Sequence, residues 1–161
     1  NKPVTVLKIN KASKKFHARF DAKKRTYQYT IINRQSPLTL QKNKAWHIRK
    51  KLDVKVMKIG AKLLLGTHDF STFRAASCGA KSPIKTMEKI LIKKNVDKIT
   101  LQFTSRSFLQ QQVRSMVGCL KYLGEGKWKL NDFENSFRSK NRSKCAPPAP
   151  PYGLYLFKVS Y

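Results

Sequence analysis

The sequence predicts an α+β fold in which a sheet carries helices on one face. Three observations predict it. Residues 25–33 (RTYQYTIIN) alternate between apolar and polar positions and are rich in β-branched and aromatic side chains, the pattern of a half-buried strand. Residues 84–94 and 98–105 read as an antiparallel pair turning at Asn95-Val96-Asp97. Residues 108–123 place Leu109, Val113, Met116, Val117 and Leu120 on one stripe at helical spacing.

The remaining elements fall between these. Val4, Val6 and Ile9 make residues 4–10 a candidate strand. Residues 11–24 are polar and basic around the apolar island 16–20, as in a loop. In residues 25–33, Tyr27, Tyr29 and Ile31 share one face, and Gln35-Ser36-Pro37 ends the strand. Residues 53–65 repeat Val54, Met57, Ala61 and Leu64 near helical spacing, with Asp53 as N-cap and Gly66 as the stop. Residues 66–83 lack periodicity. Gly124 closes the helix of residues 108–123, and a short helix follows at 131–138. Residues 146–151 (APPAPP) form an extended proline-rich stretch that feeds a final strand at 153–161.

A chain of 161 residues is one domain, or one domain of something larger. Its 11% aromatic content separates it from a disordered basic tail. Lys and Arg number 35 against 8 Asp and Glu, a net charge of +27, so the expected partner is a polyanion, with nucleic acid leading. The longest apolar runs, such as residues 63–65, are far too short to cross a bilayer, which excludes an integral helical membrane protein. The three cysteines contain no Cys-x-x-Cys pair. They argue against a disulfide framework and for a reducing, cytoplasmic location. Neither cysteines nor histidines have metal-ligand spacing, so no metal is expected. Residue 1 is Asn rather than Met, and a strand-like stretch begins almost at once, so an incomplete N-terminus is expected.

Several constellations carry chemistry. Phe16, His17, Ala18, Arg19 and Phe20 set an arginine among aromatic and small residues, which suits either a phosphate contact or an Arg packed on the two rings. In residues 66–74 a His68-Asp69 pair stands near Ser71. Neighbouring side chains point apart, so the expected reading is Asp69 capping nearby N–H groups and Arg74 facing an anion, rather than a hydrolytic triad. Ser77, Cys78, Gly79, Ala80 and Lys81 form a small basic loop that could meet an RNA backbone or be an ordinary connection. Arg114 flanks the helical stripe, with Gly118 one turn on, leaving room for a partner there.

Together these segments resemble one family, the TruA-type tRNA pseudouridine synthases. The match runs through residues 16–20, then Arg25-x-Tyr27-x-Tyr29-x-Ile31-Ile32, then Gly66-x-His68-Asp69-Phe70-Ser71-x-Phe73-Arg74. It continues through Ser107-Phe108 to Val113-Arg114-x-x-Val117-Gly118, Ala149-Pro150 and Gly153-Leu154-Tyr155-Leu156-x-x-Val159-x-Tyr161. Departures from the usual pattern fall at Asp21, Gly79-Ala80 and residues 110–112.

The resemblance implies a pseudouridine-synthase-like mixed, largely antiparallel sheet, with residues 1–161 forming one C-terminal catalytic-domain fragment. It implies isomerisation of uridine to pseudouridine in the anticodon stem-loop of tRNA, with no cofactor and no metal, by a cytoplasmic homodimer. The family's nucleophilic Asp lies in an Arg-Thr-Asp-Ala-Gly-Val-His stretch. That stretch is not in this sequence and would precede Asn1, so the fragment alone is expected to be inactive. Tyr27 matches the tyrosine that contacts the target base, and Arg114 matches the arginine that pairs with the nucleophilic carboxylate. Phe16, His17, Ala18, Arg19 and Phe20, with Ser77, Cys78, Gly79, Ala80 and Lys81, match segments that contact tRNA. The competing expectation is a non-catalytic basic RNA-binding module.

Overall fold

The computed structural model describes residues 4–161. Among these, six strands and three helices follow one another: β1 (Lys24–Asn33), β2 (Trp46–Ile48), α1 (Val54–Lys62), β3 (Gly66–Asp69), β4 (Ile84–Asn95), β5 (Lys98–Ser105), α2 (Gln112–Gly124), α3 (Leu130–Arg138) and β6 (Leu154–Ser160). They form one mixed sheet in the order β2-β1-β5-β4-β3, with β6 also paired to β1. Only the β1–β2 pairing is parallel. The α+β expectation holds.

The two-residue period of the strands decides what each sheet face meets. Tyr27, Tyr29 and Ile31 of β1 stand opposite Phe103, Leu101 and Ile99 of β5, and Phe103 and Leu101 oppose Ile90 and Ile92 of β4. This stripe lies in the core with Met116, Val117 and Leu120 of α2 and Met57 of α1. The opposite face is polar: the hydroxyls of Thr26 and Thr104 hydrogen-bond across the strands at 2.9 Å, and Gln102 donates to Gln28 at 2.9 Å.

Asp53 caps α1 as expected, its Oδ1 accepting from the backbone N–H groups of Lys55 (2.8 Å) and Val56 (3.2 Å). The helix stops at Lys62, before Gly66. That glycine (φ 96°) opens β3 instead of closing the helix.

Three further expectations are corrected. Residues 4–10 form no strand; Val6 is 69% and Leu7 93% exposed. Alternation specifies a strand only where a neighbour completes the ladder, and among the described residues none pairs with this stretch. The helix expected from residue 108 starts at Gln112, because Gln111 sits in left-handed backbone (φ 62°). The Gln112 side chain accepts from Leu109 N–H at 2.8 Å, folding residues 109–112 into a turn. The third concerns Gly118. A Cβ there would stand 2.1 Å from the Pro147 carbonyl oxygen, so the space it leaves is filled by the proline-rich stretch.

Candidate functional site

Tyr27 and Arg114 reach the same cavity from different elements. Tyr27 is half-buried on β1 and meets Phe108 edge-on, with ring centroids 5.1 Å apart. Arg114 lies in the first turn of α2. Both line a cavity of about 250 Å³, together with Phe108, residues 109–113 and Leu154.

Arg114 is oriented from the chain's C-terminal side. Its Nε donates to the Ala149 carbonyl at 2.6 Å, and its own carbonyl accepts from Ala149 N–H at 3.0 Å. This reciprocal pair needs α2 and the proline-rich stretch in close contact, which Gly118 permits. It uses only Nε, and among the described residues neither Nη group of Arg114 has a hydrogen-bond partner. A planar guanidinium held by one edge keeps its other donors for an acceptor in the cavity.

Two residues beyond Tyr27 on β1, Tyr29 is fully buried and donates its hydroxyl to the Pro150 carbonyl at 2.7 Å. Burial, reinforced by nearby Tyr152 and opposed by Arg114, pushes the Tyr29 phenol well above its ordinary value, so it stays a neutral donor.

No carboxylate lines this cavity. All eight acids of the chain are engaged elsewhere. Asp21 accepts from His17 N–H (2.8 Å), Asp53 caps α1, Asp69 accepts from Ser71 N–H (2.9 Å), and Asp132 accepts from Lys129 N–H (2.8 Å). Glu88, Asp97, Glu125 and Glu134 pair with Lys24, Arg34, Lys121 and Arg138.

A second pocket of about 410 Å³ adjoins the first across the Tyr27–Phe108 contact. It is lined by Arg19, Phe20, Ala22, Arg25, Tyr27, Arg106, Ser107 and Phe108. The loop at residues 16–20 reaches it through Arg19 and Phe20. Phe16, His17, Ala18, Arg19 and Phe20 are all exposed, Phe20 at 74%. His17 Nδ1 accepts from the N–H groups of Arg19 (3.2 Å) and Phe20 (3.3 Å), which turns the loop on itself. The Arg19 guanidinium lies 5.8 Å from the Phe20 ring centroid.

The other predicted loop is not uniformly available. Ser77, Gly79 and Lys81 are exposed and Ala80 is half-buried. Cys78 is in the core, which corrects its expectation as a surface contact. Its sulfur accepts from Gln110 N–H at 3.4 Å, and the backbone N–H groups of Ala80 and Gln110 hold the thiol below its usual value. Arg74, expected to face an anion, instead donates to the carbonyls of Cys78 (2.6 Å) and Ala80 (2.9 Å), shaping this loop from inside. His68 and Ser71 do not converge on Asp69 as a triad: the His68 ring contacts the Leu65 carbonyl at 2.6 Å and packs on Phe137. Among the described residues no three His, Cys, Asp or Glu side chains gather as metal ligands.

Sequence reasoning missed Arg25 and Arg106. Alternation on β1 puts Arg25 on the face of Tyr27, which was a usable signal; nothing local distinguished Arg106.

Comparison with known proteins follows the same outline. A family model described as tRNA pseudouridine synthase matches residues 61–161. The chain is 60% identical over 161 residues to tRNA pseudouridine synthase A of Pelagibacter ubique, covering 100% of this chain and 65% of that protein. It is 48% identical over 159 residues to the protein of the same name from Xanthobacter autotrophicus, covering 99% and 65%. A third relative of that name, from Parvibaculum lavamentivorans, is 45% identical with the same coverage. The chain thus spans about two-thirds of the length of these relatives, 65% in each case.

Proposed function

Because the chain belongs to the tRNA pseudouridine synthase family, we propose that it forms the C-terminal part of an enzyme that isomerises uridine to pseudouridine in the anticodon stem-loop of tRNA. One observation carries this reading. Tyr27 and Arg114 share a cavity that offers an aromatic wall and unpartnered guanidinium donors but no acid. A carboxylate that cleaves a glycosidic bond by nucleophilic attack must be ionised, and an adjacent arginine keeps it so. A uracil held out of its stack needs an aromatic face to rest on. Arg114 takes the first role and Tyr27 the second, with the carboxylate contributed from outside these 161 residues.

The net charge of +27 supports tRNA as the partner, and the segment 16–20 with the exposed Ser77, Gly79 and Lys81 is proposed to carry backbone contacts. The whole protein is proposed to act as a cytoplasmic homodimer with no cofactor or metal. Among the described residues no helix is long and apolar enough to cross a membrane.

The test is direct. The 161-residue chain should bind unmodified tRNA, with affinity falling steeply as salt rises. It should form no pseudouridine by itself, and full-length protein should. Turnover by the chain alone would place the nucleophile among its eight acids and overturn the assignment. The second reading, a non-catalytic RNA-binding module, draws on the acid-free cavity; it prevails if full-length protein binds tRNA without modifying it.

A further inference from the structure

We propose that Arg19 and Arg106 grip a single RNA phosphodiester at the mouth of the 410 Å³ pocket beside Tyr27, and that Arg25 fixes the spacing of the two. The inference rests on the RNA-binding reading above and deepens it.

Arg19 lies in the exposed loop before β1, and Arg106 follows the last residue of β5. They are 87 positions apart, yet their carbonyls converge on one side chain. The Arg25 guanidinium donates through Nη2 to the Arg19 carbonyl and through Nη1 to the carbonyls of Arg106 (2.5 Å) and Ala22 (3.0 Å). Arg25 is half-buried, and its three carbonyl acceptors occupy three of its five N–H donors, all of both Nη groups but one. It therefore acts as a positioning residue. A planar fork spreads its donors over two nitrogens and so spans carbonyls arriving from two separate segments, whereas a lysine ammonium must bring both carbonyls to one nitrogen.

The side chains of Arg19 and Arg106 behave oppositely. Both residues are exposed, both line the pocket, and among the described residues neither side chain makes a hydrogen bond or an ion pair with a protein group. No acidic residue lines the pocket. Two free guanidinium groups beside Tyr27 and Phe108 match a nucleotide: rings for a base, a two-arginine fork for the phosphate. The pocket shares Tyr27 and Phe108 with the Arg114 cavity, so this phosphate would belong to the nucleotide at the Tyr27 wall or its neighbour.

The test is a double-mutant cycle on binding of an unmodified anticodon stem-loop RNA, read across salt concentrations. Arg19→Ala and Arg106→Ala should each weaken binding about tenfold and lower the log–log salt slope by about one. If they hold one phosphate, the double variant should lose little more than either single variant. Lys55→Ala on α1, which lines a different cavity, is the control and should change affinity less than threefold. Arg25→Lys should weaken binding as much as Arg106→Ala, with faster amide exchange confined to residues 19–22.

A double variant at the product of the single losses would mean independent contacts and overturn the clamp. So would an Arg106→Ala effect no larger than that of Lys55→Ala. In both cases salt-dependent binding by the wild-type chain leaves the RNA-binding reading standing. No binding by the wild-type chain would sink that reading and the clamp with it. Should Arg25→Lys lower global stability, the cycle at Arg19 and Arg106 decides alone.

Discussion

The Tyr27–Arg114 cavity and the loop at residues 16–20 serve one pocket system but are built in opposite ways. The cavity is set by regular elements. Tyr27 is fixed by pairing on both sides of β1, and Arg114 by α2 and its reciprocal bonds with Ala149. The loop contributes only exposed side chains and is held by a few polar contacts, from His17, Asp21 and Arg25. Groups that act on a reacting atom need fixed geometry. Groups that attract a phosphate backbone act through charge and tolerate local freedom. The difference teaches that damage to the cavity should appear in turnover and stability, and damage to the loop in affinity.

The largest effect should separate the two regions by kinetics. In full-length enzyme, Arg114→Ala should lower kcat roughly 100- to 1000-fold with little change in KM, as when a preorganised donor is lost at a reacting centre. Arg19→Ala should raise KM about tenfold and leave kcat near wild type. Steady-state pseudouridine formation checks both, and a kcat effect from Arg19→Ala would erase the distinction.

The next effect is on stability. Gly118→Val drives a branched side chain into the Pro147 carbonyl, where even a Cβ stands only 2.1 Å away. It should cost about 3 kcal/mol in urea denaturation, since backbone must move on both sides. Phe20→Ala, at 74% exposure, should stay within about 0.5 kcal/mol of wild type.

A smaller effect tests the anchoring of the stretch that holds Arg114. Tyr29→Phe strips the Pro150 carbonyl of its buried donor and should cost about 1–2 kcal/mol of stability. Turnover should fall only as far as the Ala149–Pro150 stretch loosens its hold on Arg114.

The smallest depends on pH. Burial raises the Asp69 carboxyl, but hydrogen bonds from Ser71 and the nearby Lys140 outweigh it and leave the group below its ordinary value. A lowered folded-state pKa stabilises above the unfolded-state value and is lost as pH falls through the folded value. Asp69→Asn should therefore be less stable than wild type near neutrality, and the gap should close below about pH 4. Chemical denaturation at a series of pH values measures it; a gap that widens in acid reverses the sign.

The sequence by itself determined the long strands β1, β4, β5 and β6 and the buried side of β1. Alternation on β1 and the stripe on α2 are local periodicities, and each names a buried side before any partner is known. It also determined the charge, and through its motifs the family. Tertiary structure decided the rest, for identifiable reasons. Residues 4–10 alternate like a strand but have no partner among the described residues, and a ladder exists only between two segments. The three-residue β2 is too short to carry a period and exists because β1 offers an unpaired edge beyond β6. Cys78 and Arg74 look like surface groups in sequence, and the return of Gln110 toward Cys78 turns them inward. Gly118 announced a close approach, but only the packed chain shows that Pro147 makes it. Arg19 stood out in its aromatic loop, but its companions Arg25 and Arg106 were two basic residues among 35. What sets them apart is the meeting of two carbonyls on one guanidinium across the fold, a relation no local pattern contains.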